Sequence, residues 1–437
     1  MKSKVVVGMS GGVDSSVAAY LLKQQGYDVI GVTMRIWVDE DDDMISENAG
    51  CCGLSGVEDA RRVCQELGIP YYVMNFKSEF ERYVIDYFAD EYMHARTPNP
   101  CIACNRYVKW KAMLDRCKSI GADYIATGHY ARIVRVGDRL AIKKARHIEK
   151  DQSYVLYSLT QDELGHTLFP LSGMTKDEVR RVARQAGLLV ANKPDSQDIC
   201  FVPDGDYAKF ICEYKAGSYS LGQCSCSLDK RASIDTNACD CVAPSDDCRI
   251  DSADVSAKTC SIGITDASNK ANDAEAKNNA PIDFALQSVP FVAGNFVDRD
   301  GHILGTHKGL IHYTIGQRKG LGISSTHPLY VTKLDMATNE VVLGSSEDVF
   351  SSELIASDIN FMALDEKDAP DGVRAYGKIR YSHTDAPCTI YIEDSGKRLR
   401  AVFDEPVRAV TAGQACVFYD EDGVILCGGS IEMAVDN

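Results

Sequence analysis

The residues best suited to chemistry fall in three short stretches. Ser10-Gly11-Gly12-Val13-Asp14-Ser15-Ser16 stands between an apolar run, Lys4–Met9, and a segment with apolar residues at helical spacing. Paired glycines allow a tight turn whose successive amides converge on an anion, and the following helix N-terminus adds its positive dipole end. Ser10, Ser15 and Ser16 offer hydroxyl donors, and Asp14 is placed to orient the loop or to hold Mg2+. A glycine pair alone marks only a turn. The serines and the aspartate in this register make it an expected phosphate site, although the lysine of the GxxxxGK[ST] loop is absent.

The other two stretches carry cysteine. In Arg96–Asn105, RTPNPCIACN, two prolines hold an extended lead into a helix, with Cys104 near its N-terminus, where the dipole favours a thiolate. In Lys193–Tyr207, KPDSQDICFVPDGDY, Cys200 lies among turn-forming residues. Two thiols far apart in sequence but able to meet suit sulfur transfer, in which one carries the sulfur and the other releases it by thiol–disulfide exchange. Cys101 and Cys104 also form a C-x-x-C pair, which alone reads as a zinc or redox motif. With Cys200 as a third thiolate it could hold a 4Fe–4S cluster with one open iron.

These residues need a scaffold, and its elements are legible. Strand-like Lys4–Met9, Asp28–Ile36, Pro70–Phe76 and Ala122–His129 alternate with helical Ser15–Gly26, Val57–Gly68 and Glu79–Arg96, with Gly26 a plausible helix cap. Such alternation predicts an α/β domain with a parallel sheet covered on both faces, whose ligands bind beyond the strands' carboxyl ends. From about Tyr214 to Ser288, large aliphatics give way to Ser, Asp, Asn, Ala and Cys, too little apolar surface to offset the entropy of ordering. The last hundred or so residues are short strands separated by turns, LYVTKLD and EVVLG among them, and predict a β-barrel. The expected domains are 1–212, 213–326 with a disordered Cys-rich insertion at about 217–288, and 327–437.

Composition sets bounds. The chain has 437 residues, 45% hydrophobic and 25% charged, the balance of an ordinary globular protein. No apolar run approaches the ~18 residues of a membrane span, and the first residues lack a secretory signal, so a cytoplasmic protein is expected. Seventeen cysteines, an odd number, are more than a reducing compartment uses as structural staples. A net charge of −16 argues against a nucleic-acid partner, unless one face is basic.

The SGGVDSS segment resembles the PP-loop of ATP pyrophosphatases of the adenine nucleotide alpha-hydrolase type, which transfer AMP to an acceptor oxygen. Over roughly residues 3–212 and 290–435 the chain is similar to the bacterial tRNA 2-thiouridylase family. The resemblance implies ATP at Gly8, Met9, Ser10, Gly11, Gly12, Val13, Asp14, Ser15, Met34 and Gly128, with Mg2+. It implies that Cys200 carries a persulfide and that Cys104 resolves it through a Cys104–Cys200 disulfide. It further implies that Asn99, Pro100 and Cys101 receive the target base, and that tRNA contacts His129, Lys150, Asp151, Gln152, Arg380, Tyr381 and Gln414. The implied partners are tRNA and a sulfur donor, either a cysteine desulfurase or a relay protein. His302, His307, Lys308, His312, Arg318 and Lys319 are expected to concentrate positive potential for phosphates. Persulfide and cluster chemistry both stay open, with Cys101, Cys104 and Cys200 the candidate iron ligands. Two other readings stand beside these: a PP-loop synthetase acting on a small metabolite, and a metal-binding module built on the insertion.

Overall fold

The computed structural model describes residues 2–36, 54–193, 199–202, 204–216, 289–365 and 371–435. The expected insertion at 217–288 lies outside the described residues, as does 194–198 of the Cys200 segment.

Three consecutive valines explain the first sheet. Side chains alternate across a strand, and Val5 and Val7 enter a buried cluster with Val17, Leu22 and Val179, while Val6 enters another with Val32, Phe88, Trp110 and Ile125. A strand buried on both faces belongs inside a parallel sheet. Strand β1 (Lys4–Gly8) pairs in parallel with β2 (Asp28–Arg35), and β2 with β3 (Tyr71–Asn75). On its other side β1 pairs with β4 (Tyr124–Ala126). A hairpin of β5 (Ala131–Val136) and β6 (Arg139–Lys144) follows, and β7 (Thr167–Leu168) then pairs with β4. The order β3-β2-β1-β4-β7 reverses direction at β1, so the crevice of the sheet opens at that strand's carboxyl end. Helix α1 (Val13–Gln24) starts there. It stops at Gly26, whose φ of +90° lets the amide of Tyr27 return to the Leu22 carbonyl.

A small second sheet joins β8 (Gly294–Val297), β9 (Ile303–His307), β10 (Tyr330–Asp335) and β11 (Glu340–Gly344) in the order β10-β11-β8-β9. Here the structure corrects the sequence reading, which placed LYVTKLD and EVVLG in the barrel. Alternation shows that a strand has one buried face but does not say which sheet that face joins. Val331, Val341 and Leu343 bury against Phe296, Leu310 and Tyr313 of the small domain.

The barrel closes from β12 (Phe350–Phe361), β13 (Val373–Lys378), β14 (Ala386–Glu393), β15 (Arg398–Arg408), β16 (Ala415–Tyr419) and β17 (Ile425–Val435), in the order β12-β15-β14-β13-β16-β17. Cys416 and Phe418 of β16 face its interior, while Ala415, Val417 and Tyr419 face the N-terminal domain and join its core. Polar groups fix that docking. Asn360 Nδ2 donates to the carbonyls of Tyr157 (2.6 Å) and Leu159 (3.0 Å), and Arg139 donates to those of Phe361 (2.6 Å) and Met362 (2.7 Å).

Candidate active site

Between β1 and α1 the chain turns within a few residues, and Gly11 makes the turn at φ +68°. A Cβ on Gly11 would lie 2.3 Å from the Gly56 carbonyl oxygen, so space as well as conformation requires glycine. Gly12 precedes α1 in an extended conformation, and no side chain caps the helix. The first-turn amides therefore remain for an anion. The serines divide the work. Ser10 is half-buried, its hydroxyl 3.2 Å from Ser15 Oγ. Ser16 is fully buried and donates to the Gly12 carbonyl at 2.8 Å, so it braces the loop instead of facing a phosphate as expected. Asp14 accepts from Tyr130 Oη at 2.7 Å and from Lys176 Nζ at 2.8 and 2.9 Å. Of its two expected roles, orientation is the one these partners serve.

The strands flanking β1 complete the cradle. Met9 is buried and tied to β2 twice, through its amide to the Val32 carbonyl and its carbonyl to Thr33 Oγ1, both at 2.8 Å. Gly8 and Val13 bracket the turn, and Met34 stands half-buried near the end of β2. Gly128 follows β4, and a Cβ there would lie 2.8 Å from both the Asp14 carbonyl carbon and the Ser15 nitrogen. The absence of a side chain at Gly128 lets β4 approach the start of α1. Two lysines without an assigned role in the sequence reading also reach this loop. Lys193 Nζ donates to the Gly11 carbonyl at 3.2 Å and pairs with Asp59 at 2.7 Å, and Lys176 holds Asp14. The capping residues Thr175 and Glu178 mark where the Lys176 helix begins. Nothing local marks a pairing that spans 162 residues.

Asn99 caps the helix at Pro100–Ala103 by accepting from the Ile102 amide at 3.3 Å. Proline at the first position suits a site with no hydrogen bond to lose. Cys101 stands in the first turn and is exposed; Cys104, one turn further along the same face, is half-buried. Cys104 is thus deeper in the helix than expected, and the terminal turn belongs to Cys101. Cys104 and Cys200 pack against the same buried cluster. Phe201 anchors the second of them among Phe80, Phe88 and Phe210, with ring centroids 5.2–5.8 Å away. Tyr83, from the helical segment carrying Phe80 and Phe88, stacks at 5.1 Å on Tyr107 of the Cys104 helix. Cys212 is exposed like Cys101, whereas five other described thiols are buried. Burial pushes Cys64, Cys117, Cys388 and Cys416 up to about 12 and raises Cys427 well above its ordinary value.

The barrel reaches this loop. Gln414 Nε2 donates to the carbonyls of Thr97 (2.9 Å) and Pro98 (3.4 Å), and the Thr97 amide donates to Ala412 at 2.9 Å. A Cβ on Gly413 would stand 3.0 Å from the Thr97 nitrogen. Nearby, Tyr381 is exposed and donates to the Asp151 carbonyl at 3.3 Å; burial of its hydroxyl, with Asp151 and Cys101 close by, raises the phenol's pKa. Among the other expected RNA contacts, Lys150 is exposed and Gln152 is tied to the Tyr130 backbone at 2.9 and 3.0 Å. Arg380 has no side-chain hydrogen bond or ion pair among the described residues. Asp151 differs from expectation. Its carboxylate is buried and accepts from Ala145 N, Ser153 N and Ser153 Oγ, so it shapes the turn. His129 lies between Trp110 (5.6 Å) and Phe169 (6.2 Å), with Nδ1 2.8 Å from Thr127 Oγ1. Desolvation, then Lys109, keeps it well below the usual histidine pKa.

The basic segment of the small domain also needs correction. His307 is buried, with Nδ1 accepting from the Gly309 amide at 3.0 Å and Nε2 3.1 Å from the Asn339 carbonyl. Desolvation lowers its pKa, so it is a neutral structural group. Desolvation also lowers His312. The exposed cations here are Lys308, Arg318 and Lys319.

Three family models match in succession: a tRNA methyl transferase HUP domain over residues 3–204, a tRNA methyl transferase PRC-barrel domain over 282–345, and an aminomethyltransferase beta-barrel domain over 351–431. The second ends after β11, in line with the small sheet. The chain is 50% identical to a tRNA-specific 2-thiouridylase MnmA of Lachnoclostridium phytofermentans over 98% of this chain and 99% of that protein. It is 46% identical to the protein of that name in Acetivibrio thermocellus and 45% to that in Clostridium perfringens, each over 99% of both chains.

Proposed function

The chain belongs to the tRNA-specific 2-thiouridylase family, and on that premise we propose how its residues carry out the ATP-dependent 2-thiolation of a tRNA wobble uridine. ATP with Mg2+ occupies the loop from Gly8 to Ser15, its phosphates on the uncapped amides of α1 and its adenosine between Met34 and Gly128. The uridine, turned out of its stack onto Asn99, Pro100 and Cys101, attacks the α-phosphorus through its 2-oxygen and releases pyrophosphate. The outer sulfur of a Cys200 persulfide then attacks carbon 2 and expels AMP. Cys104 attacks the Cys200 sulfur, forming the Cys104–Cys200 disulfide and leaving the transferred sulfur, with its bonding pair, on the uridine.

What carries this reading is the arrangement of Cys104 and Cys200 on one core, beside a base loop braced by Gln414 and in the same domain as the uncapped phosphate loop. Lys193, joining Gly11 to the Cys200 segment, supplies a cation for the charge on the transferring phosphoryl group. His129, Lys150, Gln152, Arg380 and Tyr381 form the surrounding tRNA contact, with Asp151 shaping it. The sulfur donor is a cysteine desulfurase or relay protein, and the reaction belongs to the cytoplasm, where tRNA and reduced thiols coexist. Among the described residues no helix is long and apolar enough to cross a membrane.

The second route has one specific support, the placement of Cys101 and Cys104 one turn apart on one face. Together with Cys200 they would hold a 4Fe–4S cluster, which would supply a sulfide-binding iron. Iron and sulfide analysis after anaerobic purification separates the two. For the persulfide route, Cys200→Ser abolishes thiolation and leaves ATP affinity intact; a variant that still thiolates refutes the assignment.

A further inference from the structure

At the end of β13 three basic groups share one turn in a strongly acidic protein. Lys378 Nζ stands 5.8 Å from the Tyr154 ring centroid and 5.6 Å from that of Tyr381. Neither Lys378 nor Arg380 has a side-chain hydrogen bond or ion pair among the described residues. The His383 amide closes the turn on the Arg380 carbonyl at 3.1 Å, and its Nδ1 is buried with no hydrogen-bond partner. The acids close enough to matter are already engaged. Asp151 accepts its three local donors, and Asp385 pairs with Lys144 at 2.8 Å. The groups also work against one another: after burial, Arg380 and then Lys378 hold His383 low. Burial lowers Lys378, with Asp151 acting against the shift and Lys144 adding to it.

Gathering like charges beside acids that are already bonded elsewhere, Asp151 to its own turn and Asp385 to Lys144, costs free energy that an arriving anion would return. Tyr381, in the same turn, donates to the Asp151 carbonyl at 3.3 Å, so the cluster adjoins the Lys150–Gln152 turn assigned to tRNA. We propose that Lys378, Arg380 and His383 form a phosphodiester site that grips the tRNA backbone beside the target uridine, with Tyr381 and Tyr154 as its aromatic wall. The inference rests on the tRNA reading above and adds Lys378 and His383 to it. A backbone phosphate fits better than a base because the site presents charge and donors with no paired acceptor, which positions a strand without reading sequence.

The test is the salt dependence of tRNA binding to the full chain, for wild type, Lys378→Gln, Lys378→Arg and Arg380→Gln, with Lys333→Gln as a surface control. Each phosphate contact contributes ~0.7–0.9 to the slope of log affinity against log salt. Lys378→Gln and Arg380→Gln should each flatten the slope by about that amount. Lys378→Arg should restore it, and Lys333→Gln should leave it unchanged, with ATP affinity the same throughout. Wild-type slopes in both glutamine variants overturn the inference while the tRNA reading stands. A wild type that does not bind tRNA overturns both. If inorganic phosphate alone protects Lys378 from acylation while tRNA affinity ignores the substitutions, the site serves free phosphate and the proposal fails.

Discussion

Gly128→Ala tests the phosphate cradle with a single methyl group. The added carbon would lie 2.8 Å from the Asp14 carbonyl carbon and the Ser15 nitrogen and 2.9 Å from Asp14 Cβ. Ordinary contact begins near 3.4 Å, so something must move by about half an ångström, and the atoms in the way are mostly backbone. Overpacking of this kind costs about 1–3 kcal/mol. Gly128 is not at positive φ, so the cost is steric and not a matter of backbone strain. The displaced residues are the first turn of α1, whose amides are assigned to phosphate. If the whole cost falls on that turn, ATP affinity drops about 5- to 150-fold, at tenfold per ~1.4 kcal/mol. Isothermal titration with ATP, with the melting temperature measured alongside, separates lost affinity from lost fold. A variant that binds ATP within twofold of wild type would refute the close approach or the assignment of these amides.

Other consequences concern the thiols, the barrel and acid. Gln414→Ala removes donors from the Thr97 and Pro98 carbonyls. At about 0.5–1.5 kcal/mol per lost hydrogen bond, kcat for thiolation should fall several-fold with KM for ATP unchanged; an unaltered kcat argues against bracing. Iodoacetamide at pH 8 should leave Cys64, Cys117, Cys388, Cys416 and Cys427 unlabelled until denaturant is added, because burial keeps them protonated. Native labelling of Cys427 contradicts the packing of the barrel. His307 and His129 have lowered pKa values, so below the unfolded histidine value of about 6.5 the unfolded chain binds protons that the native one resists. Their contribution is present above that value and is lost as pH falls. The melting temperature should drop between pH 7.5 and 5.5, less so in His307→Gln; an equal drop in that variant assigns the acid sensitivity elsewhere.

Much of the fold was legible because its signals are local. Val5–Val7 announce a strand buried on both faces, Gly26 ends α1, and Gly11 and Gly12 mark the turn at the head of the sheet. The β5–β6 hairpin and the membership of β10 and β11 were not legible, since choosing a sheet is a long-range decision that alternation does not encode. The candidate site divides in the same way. Residue types identified the loop and the cysteines, whereas Lys176 on Asp14, Gln414 on Thr97 and His307 on Asn339 depend on partners far along the chain, and Asp151 and Ser16 turn inward onto backbone and hydroxyl groups of their own turns. A polar side chain in a motif can serve a ligand or its own backbone, and only its surroundings decide.

The account depends most on sulfur passing from Cys200 with Cys104 as its resolving partner. A direct measurement loads the enzyme with radioactive sulfur through a cysteine desulfurase, removes free sulfide, and follows one turnover with tRNA and ATP in the absence of reductant. The account predicts that label moves from a Cys200 peptide to tRNA while an equal amount of Cys104–Cys200 disulfide appears by peptide mass spectrometry. Transfer of label at the wild-type rate and yield by Cys104→Ser, with no such disulfide in the wild type, would contradict it.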